Sequence, residues 1–259
     1  MADDVRYEVR ARAAWLTIDR EERRNALSPA IIRGLIDSLA SAAIDDRAHV
    51  VVVTGTGDRA FCAGGDIGGF QQAAADQDVE SAPSAISRLL DALWWHPKPT
   101  LARVNGKALG GGFGLMLACD LAVAADDAEV GTPEIDIGLW PHVITAVIQR
   151  RMPRAIALEL MLTGRRMPAE EAAHWGLINR VVARSELDAS VQELVDRIAA
   201  KSPHVLRLGK RSFSGAEDQP WGQAIDHLKG QLAENLKTQD LVEGVAAFLE
   251  KRKPDWKGR

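Results

Sequence analysis

The sequence has few cysteines, few aromatic residues and no long hydrophobic run. Two cysteines in 259 residues exclude a disulfide framework. There is neither a CxxC pair nor an HxxxH pair, which argues against a structural metal site. The longest nearly apolar run, residues 115–125, is interrupted by Asp120 and is too short to span a bilayer. We therefore expect no bound metal and no membrane association.

The sequence also has no excess of basic residues. It contains 32 Lys and Arg residues and 36 Asp and Glu residues, which gives a net charge of -4. A mildly acidic chain is a poor candidate for non-specific binding to nucleic acid. Residues 1–10 are acidic and lack an apolar stretch, so we expect no secretory signal and a cytoplasmic protein. The hydrophobic share of 46% and the charged share of 26% are ordinary for a folded domain.

Strand and helix patterns alternate in the first part of the chain, which is typical of an α/β fold. Two short strands are predicted within residues 5–18. Ser28 and Pro29 supply a helix N-cap and a first helical residue, and the apolar positions after them have helical spacing. The β-branched run in residues 49–55 predicts a strand that is buried on both faces of a parallel sheet.

Residues 185–250 follow helical spacing almost throughout, with breaks near Ser202-Pro203 and near residues 215–220. We therefore divide the chain into an α/β core at residues 1–199 and an all-helical region at residues 200–259. Within the core, the patterns also predict a helix at 85–95, a strand at 100–106, and a helical stretch at 154–174 with a turn at 164–168.

Two glycine-containing segments, residues 60–67 and 105–115, follow strand patterns. Consecutive glycines at 110–112 allow a ligand to approach the backbone, and a helix that begins there leaves N–H groups without intrahelical partners. One N–H from each segment could form an oxyanion hole, a pair of donors that stabilises negative charge on a carbonyl oxygen during a reaction. The alternative is a packing role, in which glycine permits close contact between helix and strand. The glycine order fits neither a dinucleotide fingerprint nor a P-loop.

Six segments in the same order resemble the enoyl-CoA hydratase/isomerase (crotonase) family: ERRNALS (22–28), AFCAGGDI (60–67), VNGKALGGGFGLMLACD (104–120), GTPEIDIGLWP (131–141), LTGRRMPAEEAAHWGLINRVV (162–182) and AFLEKRKPDWK (247–257). The resemblance implies an α/β spiral of ββα units with a C-terminal helical region through which homotrimers or homohexamers assemble. It also implies an acyl-CoA thioester substrate. No separate cofactor is expected, because CoA is part of that substrate.

The resemblance assigns the oxyanion hole to the backbone N–H groups of Gly65 and Gly111, which would stabilise an enolate formed on the thioester carbonyl. By the same resemblance, Arg24, Ala26 and Leu27 lie near the phosphate and pantetheine parts of CoA. Ala63, Asp66 and Ile67 border its adenine. Phe248 and Lys251 reach a nucleotide, which can be the one bound to a neighbouring subunit. Asp66 has an alternative role in a local cap or turn, and Lys251 has one as an ordinary basic helix end.

The hydratases of this family carry two glutamates, of which this sequence has Glu134, while Gly114 stands at the position of the other. Two carboxylates suit hydration of a double bond, because each can orient the water. One base is enough for isomerisation, in which a proton leaves one carbon and returns to another. The sequence does not decide between hydratase and isomerase activity. It also leaves open a structural role, in which Glu134 is the partner of an arginine.

The segments around Gly114 and His142 also resemble 3-hydroxyacyl-CoA hydrolases, which have an acidic residue at the position of His142. His142 could itself act as a general base. Gly114, Trp140 and His142 complete the predicted substrate-binding set, although Trp140 fits the core as well, and a non-catalytic acyl-CoA-binding homologue is a further alternative. We assign control of acyl chain length to residues 68–84. Both cysteines lie in apolar surroundings and are predicted to be inert.

Overall fold

The computed structural model describes residues 4–66 and 81–259. Its larger sheet contains, in spatial order, β1 (Val5–Arg10), β2 (Ala13–Ile18), β3 (Val50–Gly55), β5 (Thr100–Val104), β7 (Leu121–Ala125) and β10 (Arg180–Val182). The pair β1–β2 is antiparallel, and the other neighbours are parallel. The strands predicted within residues 5–18, 49–55 and 100–106 are therefore confirmed.

A smaller sheet contains β4 (Ala60–Cys62), β6 (Lys107–Leu109), β8 (Glu129–Gly131) and β9 (Arg166–Pro168). Strands β4, β6 and β8 are parallel, and β9 is antiparallel to β8. The sequence patterns do not predict these strands, because three residues are too few to show a period, and β9 replaces the turn expected at residues 164–168. Successive strand pairs β3–β4, β5–β6 and β7–β8 each place one strand in either sheet, which is the ββα spiral that the resemblance implies.

The helices of the described residues are α1 (Pro29–Ile44), α2 (Ser81–Trp94), α3 (Gly111–Ala118), α4 (Thr145–Arg151), α5 (Arg154–Thr163), α6 (Ala169–His174), α7 (Leu187–Ala199), α8 (Pro203–Ala216), α9 (Trp221–Asn235) and α10 (Gln239–Leu249). Short 3-10 helices cover Glu21–Arg23, Pro133–Ile137 and Arg184–Glu186. The predicted N-cap of α1 is confirmed, since the Ser28 hydroxyl accepts a hydrogen bond from Ile31 N at 3.3 Å.

The larger sheet is covered on both faces, which explains the uninterrupted β-branched run of β3. All six residues of β3 are buried. Val51 and Val53 belong to the main core, and Val50 and Val52 pack on the opposite face in a second cluster with apolar residues of α7. The predicted two-sided burial of this strand is therefore confirmed.

The C-terminal region is helical with breaks at the predicted places, since α8 begins at Pro203 and α9 follows Pro220. Neither α8 nor α9 contains a buried residue. The chain end is fixed to the end of α7, because the Trp256 indole donates a hydrogen bond to Ala200 O at 2.8 Å. The division into functional units at residue 199 stays a prediction.

A bilayer-spanning segment needs about 20 apolar residues in one helix. Among the helices that the structure describes, none combines the required length with the required apolar character.

Candidate active site

Three site segments lie at one edge of the smaller sheet, because each follows one of three adjacent parallel strands. The first glycine segment follows β4, Gly110 follows β6, and Glu134 comes shortly after β8. The carboxyl ends of neighbouring parallel strands meet at the same edge, so these segments converge. The hydrogen bond from Gly110 N to Gly131 O, 2.8 Å long, ties the second segment to the end of β8.

The stretch that contains Arg24, Ala26 and Leu27 runs alongside the first glycine segment. Ala63 N donates a hydrogen bond to Arg24 O at 3.1 Å, and Leu27 N donates one to Gly64 O at 2.7 Å. Asp66 N donates in turn to Leu27 O at 3.1 Å, so the two stretches form a short parallel ladder. The structure therefore brings together two stretches that the resemblance assigns to CoA binding, although they are far apart in the sequence.

Asn25 holds this ladder in place, a role that the sequence analysis missed. Its side chain is fully buried, and its amide donates hydrogen bonds to Thr56 O at 3.0 Å and Ala60 O at 2.8 Å. Arg24 and Asn25 both have left-handed backbone conformations, with φ of 53° and 56°. Asparagine tolerates the left-handed region better than most residues. The asparagine in ERRNALS was therefore a signal in the sequence for a special backbone position.

The two glycine segments contact each other closely. An ideal Cβ on Gly64 lies 2.8 Å from Leu109 O and 3.2 Å from Gly111 N, and Gly64 has a φ of +96°. An ideal Cβ on Gly111 lies 3.5 Å from Gly65 N. Gly111 is the first residue of α3, so its N–H has no intrahelical acceptor.

The N–H groups of Gly65 and Gly111 make no hydrogen bond to another residue in the described part of the chain. Two neighbouring donors of this kind, one of them at a helix N-terminus, can stabilise an oxyanion. Their assignment to an oxyanion hole stays a prediction of the resemblance.

Gly112 fits the packing interpretation rather than the ligand-binding one. An ideal Cβ there lies 2.0 Å from Cys62 O, so only glycine lets α3 approach β4 this closely. Both cysteines are buried, and burial raises the pKa of the Cys62 thiol and the Cys119 thiol to about 12. Buried thiols with a raised pKa have little thiolate, which agrees with the prediction that both cysteines are unreactive.

The Glu134 carboxylate faces the start of α3. Its Oε1 lies 2.5 Å from the position of an ideal Cβ on Gly110, whose φ of +54° also favours glycine. Its Oε2 is buried without a hydrogen bond, and among the described residues no arginine forms an ion pair with it. This contradicts the alternative in which Glu134 is the structural partner of an arginine. Burial raises the pKa of Glu134, and a hydrogen bond from its own backbone N–H opposes that rise. A carboxyl group with a raised pKa is suited to accept and return a proton near neutral pH.

Gly114 is buried on the same helix, and Ile144 occupies the space beside it. An ideal Cβ on Gly114 lies 2.3 Å from Ile144 Cγ2 and 2.8 Å from Ile144 Cβ. A side chain at position 114 therefore cannot be added without moving Ile144. The missing glutamate is visible in the sequence, but the residue that fills its place is not, because Ile144 lies 30 positions along the chain from Gly114.

Trp140 and His142 lie in the loop before α4, with different environments. Trp140 is partly buried and packs against the main core, so the core interpretation of this tryptophan is confirmed in part. His142 is exposed, and its backbone N–H donates a hydrogen bond to Trp140 O at 2.8 Å. A catalytic role for His142 stays a prediction.

The remaining predicted residues lie outside this cluster or outside the described residues. Asp66 forms an ion pair with Arg20, with Nη1 and Oδ2 3.0 Å apart, so its side chain acts in more than a local turn. Ile67 lies outside the described residues, as does most of the segment 68–84. Phe248 lies in the last turn of α10 and is 82% exposed, and Lys251 is exposed just beyond that helix. Their contact with a nucleotide stays a prediction.

A metal centre needs several clustered ligands. Within residues 4–66 and 81–259, no group of three or more His, Cys, Asp or Glu side chains is placed to hold a metal ion.

Comparison with known proteins places this arrangement in a family. The family model described as enoyl-CoA hydratase/isomerase matches residues 8–259. The chain belongs to the enoyl-CoA hydratase/isomerase family. Its mixed α/β fold and its C-terminal helices are those of the family's solved structures, so the predicted fold class is confirmed.

Members of the enoyl-CoA hydratase/isomerase family with several names are similar to this chain. YngF of Bacillus subtilis, which carries an enoyl-CoA hydratase/isomerase name, is 37% identical over 100% of both chains. Carnitinyl-CoA dehydratase of Escherichia coli is 36% identical over 83% of this chain and 84% of that enzyme. The enoyl-CoA hydratase structure from Bacillus anthracis superposes with a TM-score of 0.93 at 32% identity, covering 99% of this chain and 100% of that one.

Proposed function

We propose that this enzyme of the crotonase type isomerises the double bond of an enoyl-CoA thioester with Glu134 as its one acid/base residue. The observation that carries this proposal is that a carboxylate, Glu134, lies at the site, while an apolar side chain, Ile144, occupies the place of a second one. Glu134 lies beside the start of α3, whereas the place of a second side chain, at Gly114, is filled by Ile144. A single carboxylate suffices for a proton shift between two carbons, while hydration gains from a second group that orients water.

The proposed reaction begins when the Glu134 carboxylate removes a proton from the α-carbon of a 3-enoyl-CoA. The electron pair of that C–H bond moves toward the thioester carbonyl, and the double bond becomes part of a dienolate. The N–H groups of Gly65 and Gly111 stabilise the negative oxygen, an interaction typically worth a factor of about 10²–10³ in rate for each donor. The protonated Glu134 then returns the proton to the γ-carbon, which gives the 2-enoyl-CoA and restores the carboxylate.

The CoA moiety is proposed to lie along the ladder between residues 24–27 and 63–66. Arg24 is exposed next to this ladder, and its cation suits a phosphate group. Arg20 is already paired with Asp66 at the end of this ladder, so we assign the phosphate contact to the Arg24 guanidinium. Removal of the Arg24 charge should raise KM for the CoA ester more than it changes kcat.

The test compares purified protein on 3-enoyl-CoA and 2-enoyl-CoA of the same chain length, with products separated by chromatography. We expect 3-enoyl-CoA to be converted to 2-enoyl-CoA faster than 2-enoyl-CoA is hydrated. A folded protein that hydrates 2-enoyl-CoA and leaves 3-enoyl-CoA unchanged contradicts isomerisation. Release of free CoA thiol, which the same samples report, would support the hydrolase alternative.

A second candidate is reversible hydration and dehydration of a hydroxyacyl-CoA. The observation that favours it is the 36% identity to carnitinyl-CoA dehydratase over most of both chains. Dehydration removes an α-proton as isomerisation does, so Glu134 and the two glycine N–H groups would keep their roles. It additionally requires a group that protonates the departing hydroxide, and 3-hydroxyacyl-CoA as substrate tests for one directly.

We also propose that the chain forms homotrimers or homohexamers through its C-terminal helices. Helix α9 and the residue that follows it expose an apolar stripe with helical spacing, which consists of Trp221, Ile225, Leu228, Leu232 and Leu236. Exposed apolar patches of this kind mark interaction surfaces. The predicted contact of Phe248 and Lys251 with a neighbouring subunit's ligand belongs to this proposal.

A further inference from the structure

The start of α3 has chemically different neighbours at its N-cap and one turn later. Gly110 is the N-cap of α3, and Gly114 N donates a hydrogen bond to Gly110 O at 3.0 Å, so the two glycines lie one helical turn apart. Glu134 Oε1 lies 2.5 Å from an ideal Cβ on Gly110, and Ile144 Cγ2 lies 2.3 Å from one on Gly114. The start of α3 therefore meets a carboxylate at Gly110 and hydrocarbon at Gly114.

Ile144 is held firmly in its position. It is 4% exposed and belongs to the main hydrophobic core. Its carbonyl accepts hydrogen bonds from Val147 N at 3.1 Å and Ile148 N at 3.0 Å, which fixes its backbone at the start of α4. Because the interior is close-packed, the side chain cannot withdraw from Gly114 without displacing its neighbours.

We propose that Ile144 is a specificity-determining residue, which fills the place of a second polar group and keeps water away from the carboxylate of Glu134. This inference rests on the proposed function. A bound water needs two to four polar partners, and the aliphatic side chain offers it none. The Oε2 of Glu134 is buried and accepts no hydrogen bond from a described residue. A proton on Glu134 then returns to the substrate carbon, because no oriented water competes for the double bond.

The first test measures whether Ile144 and position 114 compete for the same space. Gly114→Ala is made in the wild-type protein and in an Ile144→Ala background, and thermal midpoints are measured. We expect Gly114→Ala to lower the midpoint by several degrees in the wild type, roughly 2–4 °C or more for a chain of this size. The same change should cost much less when Ile144 is alanine. An equal loss in both backgrounds overturns the inference.

The second test measures how products are partitioned. Ile144→Ala is incubated with 3-enoyl-CoA and 2-enoyl-CoA, and the ratio of 3-hydroxyacyl-CoA formed to double bond moved is compared with that of the wild type. We expect the ratio to rise by about tenfold or more, and further in Gly114→Glu/Ile144→Ala, since a positioned acid/base group typically contributes about 10²–10⁴. The matched control is Ile148→Ala, an equal truncation at a buried position four residues along the chain, which should leave the ratio unchanged.

The outcomes separate this inference from the proposed function. A folded wild-type protein that isomerises 3-enoyl-CoA, with a product ratio that Ile144→Ala leaves unchanged, overturns the inference alone. A similar rise in Ile148→Ala also overturns it, because loosened packing in general would then admit water. A folded wild-type protein that converts neither enoyl-CoA overturns the proposed function itself.

Discussion

Helices α1, α3 and α7 of the α/β core bury their apolar side chains against the sheets, whereas α8 and α9 of the C-terminal region contain no buried residue. The large apolar side chains that these two helices leave exposed are Phe213, Trp221, Ile225, Leu228, Leu232 and Leu236. The α/β core holds the glycine segments and Glu134. The C-terminal helices have apolar faces that one chain does not cover.

This contrast implies that the two regions respond differently to the same kind of substitution. A change in the core alters the chemistry or the packing, because the side chains there have close neighbours on every side. A change on the C-terminal helices alters what those helices can bind, because the affected atoms face outward. Four predictions test this contrast, from the largest expected effect to the smallest.

The largest effect is expected for Glu134→Gln in the core. The amide cannot take the α-proton, so kcat should fall by about 10²–10⁴. Because burial raises the pKa of Glu134, its ionised form opposes folding, and that cost grows as the pH rises through the folded-state pKa. The thermal midpoint of the variant at pH 7 should therefore equal or exceed that of the wild type. Unchanged kcat would show that Glu134 is not the base.

A glycine-to-alanine substitution should change the free energy of unfolding in opposite directions in the two regions. Gly112→Ala places a Cβ against the backbone of Cys62 and should destabilise the protein by about 1–3 kcal/mol, as overpacking does. Gly209→Ala on α8 meets nothing within 4 Å and should stabilise it by about 0.5–1 kcal/mol through helix propensity. Urea unfolding measures both values. Equal signs would contradict the contrast between the regions.

The apolar stripe of α9 should control association rather than folding. Leu232 and Leu236 are 59% and 61% exposed, so Leu232→Glu/Leu236→Glu adds charge without opening a cavity. We expect sedimentation to show a smaller assembly, while circular dichroism stays that of the wild type. Gln223→Glu adds a charge to an exposed position outside the stripe and serves as the control. An unchanged mass for the double variant would contradict the proposed assembly surface.

The smallest effect concerns the pH dependence of stability. His96 is 4% exposed, and its ring nitrogens are hydrogen-bonded to Leu39 O and to the backbone of Lys98. Burial lowers the pKa of His96 in the folded state, so the unfolded chain binds the proton more readily. Stability should therefore be fully present above the unfolded-state value of about 6.5 and be lost as the pH falls toward the folded-state pKa.

His96→Gln should reduce the loss of unfolding free energy as the pH falls below about 6.5, a loss of at most about 1.4 kcal/mol per pH unit. The same substitution at His204 on α8 is the comparison in the C-terminal region. Urea midpoints between pH 5 and 8 measure both variants. An equal change of slope at the two positions would show that burial of His96 is not the cause.

Local signals in the sequence were sufficient for strands β1, β2, β3 and β5 of the larger sheet and for α1. Ser28 caps α1 as its residue type suggests, and the β-branched run gives a strand buried on both faces. The smaller sheet was not predicted, because its three-residue strands carry no period and exist through their pairing with one another. That sheet is nevertheless what brings the glycine segments and Glu134 to one edge.

The sequence by itself determined which chemical groups the site has: two glycine segments that can present backbone N–H groups, one glutamate, and no second carboxylate at position 114. Only the tertiary structure decided what surrounds them. Asn25 supports the ladder between residues 24–27 and 63–66 from within, and Ile144 fills the space beside Gly114. Asn25 reaches Thr56 O and Ala60 O, and Ile144 reaches Gly114, from 30 or more residues away in the chain, and close packing joins them by shape, which no local pattern encodes.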